Sequence, residues 1–392
     1  MKTIRIFNIG ELFTGVLESP RSPATSLLIA EGRVASLDPP ASANADIVID
    51  ARGGAVLPGL VDGHVHPVFG EWTPAQDAIG WIGNYLHGGT TTMVSAGELH
   101  VPGLDYANLT ADLVTSLAVV TRATTGRLRW SGVKMHAGTV LLVPGMREEH
   151  FDRLAAAGSI LAKFIFFPLE DNCEEAKQYV RWCRERKIRV KVHTGGVSRS
   201  GASRVCGYST LAWLQPDIAA HVSGGPIPMN DEDLDAVVDR TTFALEVCSS
   251  NNYRSTLRAV RRLTELGRLD RLIVGTDTPG GTGVIPRGML RNVLYLSSIC
   301  GVAPAEAIAI STGNTAAAHG LDVGVIEPGR PADLLIAGHI QGSPATVTEA
   351  IAHGDLIGIS HVFVDGVMVV DGRSEQTPPP MLAASFSGPL RF

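Results

Sequence analysis

The sequence predicts an α/β protein: a distorted (β/α)8 barrel of the TIM type, with a small β-sandwich built from both ends of the chain. Three observations lead there. Between residues 56 and 320, short apolar runs alternate with amphipathic stretches eight times, the pattern of βα units around a parallel sheet. Strand-rich blocks stand at both ends of the chain rather than at one. A length of 392 residues holds a barrel of about 265 residues, near the usual ~250, and one attachment.

The elements follow in chain order. In the first 57 residues, TSLLIAEGRVASL reads as two apolar runs about Glu31-Gly32, a hairpin signature, and DIVIDARGGAVL alternates as a strand does. The eight barrel runs are AVLPGLVDGH (55–64), TTTMVSAG (90–97), GVKMHAG (132–138), SILAKFIF (159–166), IRVKVHTGG (188–196), IAAHVSGG (218–225), FALEVCSS (243–250) and RLIVGTDTPGG (271–281). Between them, EEAKQYVRWCRERK (174–187) and YRSTLRAVRRLTELG (253–267) place apolar residues at helical spacing. GVIEPGRPADLLIA and HVFVDGVMVVDG, the second turning at Asp365-Gly366, supply the remaining sandwich strands. The expected division is 1–57 with 324–375 as the sandwich, 58–323 as the barrel, and the Pro/Ser-rich 376–392 as a C-terminal arm.

Composition narrows the function classes. Hydrophobic residues at 45% and charged residues at 18% exclude a disordered chain. The 33 basic and 39 acidic residues give −6 without clustering, which is no nucleic-acid surface. Five cysteines without a C-x-x-C pair argue against both a disulfide framework and a thiolate zinc site. No run approaches 18 apolar residues and the opening MKTIRIFNIGELFTGV lacks a secretory core, so a cytoplasmic protein with no membrane partner is expected.

The chemistry lies where barrel strands end. Run one closes with His64-Val65-His66, whose i, i+2 spacing puts both imidazoles on one strand face. Run five carries His193, run six His221 and run eight Asp277. Four imidazoles and a carboxylate on one rim form a nitrogen/oxygen donor set suited to zinc, iron or manganese. Lys163 stands in the apolar SILAKFIFF, where an ammonium is costly. Either its stem is buried with the head in water, or its neutral amine captures carbon dioxide as a carbamate that bridges two divalent cations. In the second case carbamate, Asp277 and a bridging hydroxide balance the charge of the two ions.

At this point VLPGLVDGHVHP, the strand-four lysine, the two later histidines, GTD and the closing GVIEPGRPADLLI resemble the amidohydrolase superfamily along essentially the whole chain. More narrowly, HGGTTTMVSAGELHVPG, VKVHTGGVSRSG, HVSGGP, GTDTPGGTGVIPRGMLRN and STGNTAAAHGL resemble the enamidase group, which opens a cyclic enamide. The resemblance implies that His64, His66 and Asp277 hold one metal, that His193 and His221 hold the other, and that Lys163 bridges them. Lys163 is itself a departure, since it is the hydantoinase- and dihydroorotase-like relatives that bridge with a carbamylated lysine, whereas the enamidase group uses a glutamate.

The chemistry so implied is hydrolysis of a C–N bond in a small cyclic amide or enamide. A metal-bridging water becomes hydroxide near neutral pH, and Asp277 acts first as general base and then as general acid. His136, ending run three, is a candidate donor to the oxyanion or else an ordinary buried histidine. Arg199 and Arg287 could meet a substrate carboxylate or simply face solvent, and His100 could line the pocket. Among alternatives, a deaminase of the superfamily would need a glutamate shortly after the strand-five histidine, where this chain has Thr194-Gly195-Gly196. A lactonase or peptidase stays open, as does, at a distance, a non-catalytic scaffold. By analogy with the enamidase group the assembly is a homo-oligomer, a tetramer.

Overall fold

A computed structural model describes residues 2–67, 81–98, 104–127, 132–171, 173–198, 201–225, 227–250 and 252–386. The barrel strands, numbered one to eight, are Leu60–Val65, Thr90–Ser95, Lys134–His136 continued by Val140–Leu141, Leu161–Phe164, Arg189–His193, Ile218–Ala220, Ala244–Cys248 and Leu272–Gly275. Each pairs in parallel with its sequence neighbour. Strand eight returns to strand one, with Asp277 N donating to the His64 carbonyl (2.8 Å) and His66 N to that of Thr278 (2.6 Å).

Among the described residues strands eight and one meet only through the isolated bridge Val65–Thr278 and these bonds, and the ladder is interrupted within strand three. There Gly138 N and Thr139 N donate to the Glu98 carboxylate (2.8 and 3.3 Å) instead of to a neighbouring strand. A side chain from the end of strand two has thus taken the backbone donors that would have closed the sheet. The helices Trp81–His87, Ala111–Thr125, Glu148–Ala157, Cys173–Glu185, Tyr208–Leu214, Asp231–Arg240, Tyr253–Glu265 and Gly288–Ser298 follow the eight strands in turn. Two of them are laced together at four-residue intervals by Arg254–Asp231, Arg258–Asp235 and Arg262–Asp239. Among the described residues no helix is long and apolar enough to cross a membrane.

The run read as one strand over 55–64 is two. Ala55–Pro58 pairs with Leu334–Ala337, outside the barrel, and only Leu60–Val65 enters it. A continuous apolar run arises here because both pieces are buried on both faces. In the first piece Val56 joins one core with Ile4, Ile29, Ile49 and Phe363, while Ala55 and Leu57 join the core around the barrel. Leu334–Gly338 alternates in the same way, Leu334 and Ile336 facing one core and Leu335 and Ala337 the other.

This sheet is therefore the inner one of the sandwich, lying between the barrel and the sandwich's other sheet. It runs Val367–Val370, Gly358–Val364, Leu334–Gly338, Ala55–Pro58, Glu11–Phe13, Arg21–Ser22. The facing sheet runs Ser385–Phe386, Ile47–Asp50, Ile4–Phe7, Leu27–Ala30, Arg33–Leu37. Ser385 and Phe386, from the segment expected to be an arm, pair with Asp50 and Ile49. The hairpins at Glu31-Gly32 and Asp365-Gly366 turn with positive φ at both residues, the geometry that matches strand twist.

One ion cluster fastens sandwich to barrel. Lys134 of strand three donates to Asp333 (2.7 Å) and pairs with Asp365 (2.5 Å) at the sandwich turn, largely out of solvent. Lys134→Met would leave two carboxylates without their cation. The expected outcome is a loss of about 3 kcal/mol in stability, read as a lower urea midpoint; an unchanged midpoint would show that the cluster does not hold the two parts together.

Candidate metal centre

Strand one places the first two donors. His64 is fully buried in the strand and His66 follows its last residue. The backbone bonds that bring strand eight against strand one carry Asp277 between them, so Asp277 Oδ1 lies 3.2 Å from His66 Nε2 and 3.5 Å from His64 Nε2. Donor atoms of His64, His66 and Asp277 all fall within 4.8 Å of one another. Two close approaches permit this. A Cβ on Gly275 would stand 2.4 Å from His64 Cβ, and one on Gly281 would stand 1.7 Å from Asp277 Oδ2. Ser250 Oγ donates to Oδ2 at 3.1 Å and fixes the other carboxylate oxygen.

A second pair of donors stands beside them. His193 closes strand five and His221 follows strand six in a left-handed conformation (φ 38°). His193 Nε2–H donates to the Gly196 carbonyl (3.0 Å), which leaves the Nδ1 lone pair facing His221 Nε2 at 3.2 Å. The His221 ring lies 4.6 Å from that of His193 and 5.3 Å from that of His64. His221 Nδ1 is buried and unpaired among the described residues. Two ring nitrogens aimed at one point fit a shared cation better than they fit each other.

Lys163 faces the same space from strand four. It is 1% exposed, and its Nζ donates to His64 Nε2 at 3.1 Å. Burial and the nearby Lys191 ammonium bring its pKa down to about 8. Burial first, and then the lysine charge, holds His64 well below the ordinary histidine value and brings His193 down to about 4; burial and His193 do the same to His221. Burial alone would raise Asp277, but the hydrogen bond from His66 and the other imidazoles outweigh it and hold the carboxyl below its ordinary value. Lowered pKa values at His64, His193, His221 and Asp277 favour the deprotonated forms that a metal needs, and the lowered value at Lys163 moves it in the same direction.

Two supporting residues were not foreseen from sequence. Glu246 of strand seven accepts from His64 Nδ1 (2.6 Å) and from Lys191 Nζ of strand five (2.6 Å), and Lys191 also donates to the Gly63 carbonyl (2.7 Å). His64, Glu246 and Cys248 also bring three donor atoms within 4.8 Å. The Glu246 oxygen nearest His64 is already its hydrogen-bond acceptor, which makes this group a support of the first. The available signals were Lys191, two residues before His193 on one strand face, and Glu246 in the apolar FALEVC.

The remaining expectations divide. His136 ends the first part of strand three and is half-buried. Arg287 immediately precedes the helix Gly288–Ser298, half-buried and without a side-chain partner among the described residues. His100 and Arg199 lie outside the described residues. A small cleft adjoins His193, lined by Phe164, Phe167, Leu169, Arg204 and Cys206. Arg204, at its edge, pairs with Asp171 at 2.9 Å.

Residues 55–369 match the model of the amidohydrolase family. Enamidase from Eubacterium barkeri is 38% identical over 389 residues, spanning 98% of this chain and 99% of that protein. A crystal structure of enamidase superposes with a TM-score of 0.90 at 35% identity, over 98% of this chain and 100% of the other. An adenine deaminase from a Ruegeria species is 27% identical over 347 residues, 85% of this chain but 54% of that protein.

The close approach at Asp277 can be tested directly. Gly281→Ala places a methyl where Asp277 Oδ2 now stands without requiring an unusual φ. The expected result is at least a tenfold faster loss of metal on dialysis, with a melting temperature within a few degrees of the parent. Metal retention equal to the parent would mean that the carboxylate does not depend on that space.

Proposed function

The chain belongs to the amidohydrolase family, and from that premise we propose that it hydrolyses a ring carbon–nitrogen bond in a small cyclic amide or enamide, using divalent metal. The observation that carries the reading is the convergence of His64 Nε2, His66 Nε2 and Asp277 Oδ1, with the His193–His221 pair beside them and a cleft at their edge. His64, His66 and Asp277 would hold one ion and His193 and His221 the other, with Lys163 between them as carbamate. Zinc suits these donors, and iron or manganese suits them as well. When bound, such ions supply Lewis acidity toward the amide carbonyl and toward the attacking water.

The protein's own groups do the rest. Asp277, anionic at the outset and oriented by Ser250, accepts a proton from the water as its oxygen bonds to the carbonyl carbon. The same proton then passes to the ring nitrogen as the C–N bond breaks, which leaves an amine and a carboxylic acid, and the acid gives its remaining proton to the amine or to solvent. His136 is proposed as a donor to the carbonyl oxygen as it gains charge, and Arg287, Arg199 and His100 as contacts to the substrate. The apolar and aromatic wall of the cleft, from Phe164, Phe167 and Leu169, suits a carbon ring. The barrel, residues 58–323, would carry this chemistry, with the sandwich of 1–57 and 324–375 flanking it. A homo-tetramer in the cytoplasm belongs to the same proposal. The deaminase reading is less favoured: the residues after His193 are Thr194, Gly195 and Gly196, and none is an acid.

Metal analysis and a substrate panel test this together. Protein produced with ample zinc, iron and manganese should carry close to two metals per chain and open a member of a set of lactams, hydantoins, cyclic imides and 6-oxo-tetrahydropyridine carboxylates. Fewer than one metal per chain would sink the reading. Lys163→Ala should lose metal and lower kcat at least a hundredfold; full metal content and activity in that variant would remove the carbamate. Arg287→Ala should raise KM for acidic substrates and leave neutral ones unchanged.

A further inference from the structure

Beneath the metal centre lies a charged pair that the reaction does not consume. Lys191 on strand five and Glu246 on strand seven are both fully buried, and they meet across the barrel interior rather than along a shared ladder. Burying two charges is costly, and apolar residues of similar volume would fill such a core at no loss of stability. A purely structural account therefore leaves the pair unexplained.

Its geometry points to His64. Glu246 divides its oxygens, Oε1 to Lys191 Nζ and Oε2 to His64 Nδ1, each at 2.6 Å. The second proton of Lys191 goes to the carbonyl of Gly63, the residue before His64. On the opposite side of the ring, Lys163 Nζ donates to His64 Nε2. An imidazole cannot carry its proton on the nitrogen that accepts a hydrogen bond, so both contacts assign one tautomer, with Nδ1–H toward Glu246 and the Nε2 lone pair toward Lys163, on the side of the ring where Asp277 stands. The backbone is fastened at the same place: His64 N donates to Asp62 Oδ1 (3.1 Å), and that oxygen also accepts from Thr276 N (2.9 Å).

We propose that Glu246, held in place by Lys191, is a positioning residue that fixes the tautomer and orientation of His64 and thereby sets the affinity of the metal bound by His64, His66 and Asp277. The inference rests on the metal-dependent reading of the site. It acts on one of the two ions, because neither His193 nor His221 shares this support. His193 is oriented by the Gly196 carbonyl instead.

The test measures metal and fold separately in the full chain. Wild type, Glu246→Gln and the double variant Lys191→Met/Glu246→Leu are loaded with zinc. Melting temperatures are recorded, and metal release to a chromogenic chelator is followed. The double variant replaces the pair by apolar side chains and is expected to melt near the wild type. Roughly 10–100-fold faster release is expected in it for one of the two ions, with the other unchanged. Glu246→Gln keeps the shape and an acceptor for Nδ1–H but gives up the charge, so an intermediate acceleration is expected; it also carries the test if the double variant does not fold. Wild-type release rates in a folded variant, with two metals in the wild type, would overturn this proposal alone. A wild type that binds less than one metal would overturn the reading beneath it. Equal acceleration for both ions would also count against the proposal, since a general loosening of the barrel does that.

Discussion

Every polar atom of His64 is committed, and the candidate metal centre is organised around that fact. Its N–H meets Asp62, its carbonyl accepts from Asp277 N, its Nδ1–H meets Glu246, and its Nε2 faces Lys163 and Asp277. These contacts come from strands one, four, seven and eight, so the ring cannot turn without disturbing half of the barrel. A fully buried imidazole with an unmet nitrogen would be costly. Meeting all of its atoms makes the same ring a rigid donor, which an active-site metal requires. Asp277 reaches its place by the same backbone contact, because the bond from its N–H to the His64 carbonyl carries the carboxylate to the two imidazoles.

The attachment of the sandwich follows from burial of a different kind. Ala55–Pro58 and Leu334–Gly338 have no solvent face, since alternate residues enter the sandwich core and the barrel core. Such a sheet separates from the barrel only by exposing one of its apolar faces, and Lys134 adds a charge link at its edge. The first barrel strand begins two residues after Pro58, so the chain passes from that doubly buried sheet straight into the strand that carries His64 and leads to His66. Stability at the chain ends and geometry at the centre are therefore linked through a short piece of backbone.

What could be read from the sequence depended on how local each signal was. His64 and His66 are legible because a spacing of two fixes a shared face. Lys163 is legible because a lysine inside SILAKFIFF contradicts its surroundings. Lys191 and Glu246 contradict theirs as well, yet their partnership is formed across the barrel interior, 55 residues apart in sequence, where no spacing rule applies. The division of 55–64 into two strands was hidden by the same cause that makes both pieces apolar, namely burial on two faces. The break in strand three is invisible locally, because it depends on Glu98, some 40 residues upstream, capturing the donors of Gly138 and Thr139. The short pairing of Ser385–Phe386 carries almost no apolar pattern and is fixed by its partner strand.

The floor of the centre and its rim answer to different constraints, and the loop after strand five belongs to both. Gly195 and Cys206 exchange backbone hydrogen bonds (2.8 and 2.9 Å), and Gly196 N donates to the Ile227 carbonyl in the loop after strand six. The Gly196 carbonyl is what orients His193, while Arg204 and Cys206 at the far end of the same loop line the cleft. A change of residue that reshapes the cleft near Cys206 therefore acts through two backbone bonds on Gly195, the neighbour of the residue that aims His193. The bed of Asp277 lies on other strands, and that of His64 touches strand five through Lys191, whose partners are Glu246 and the Gly63 carbonyl rather than this loop. In this architecture His64, His66 and Asp277 stand apart from the wall of the cleft, and His193 is the member of the cluster that the cleft's own loop positions.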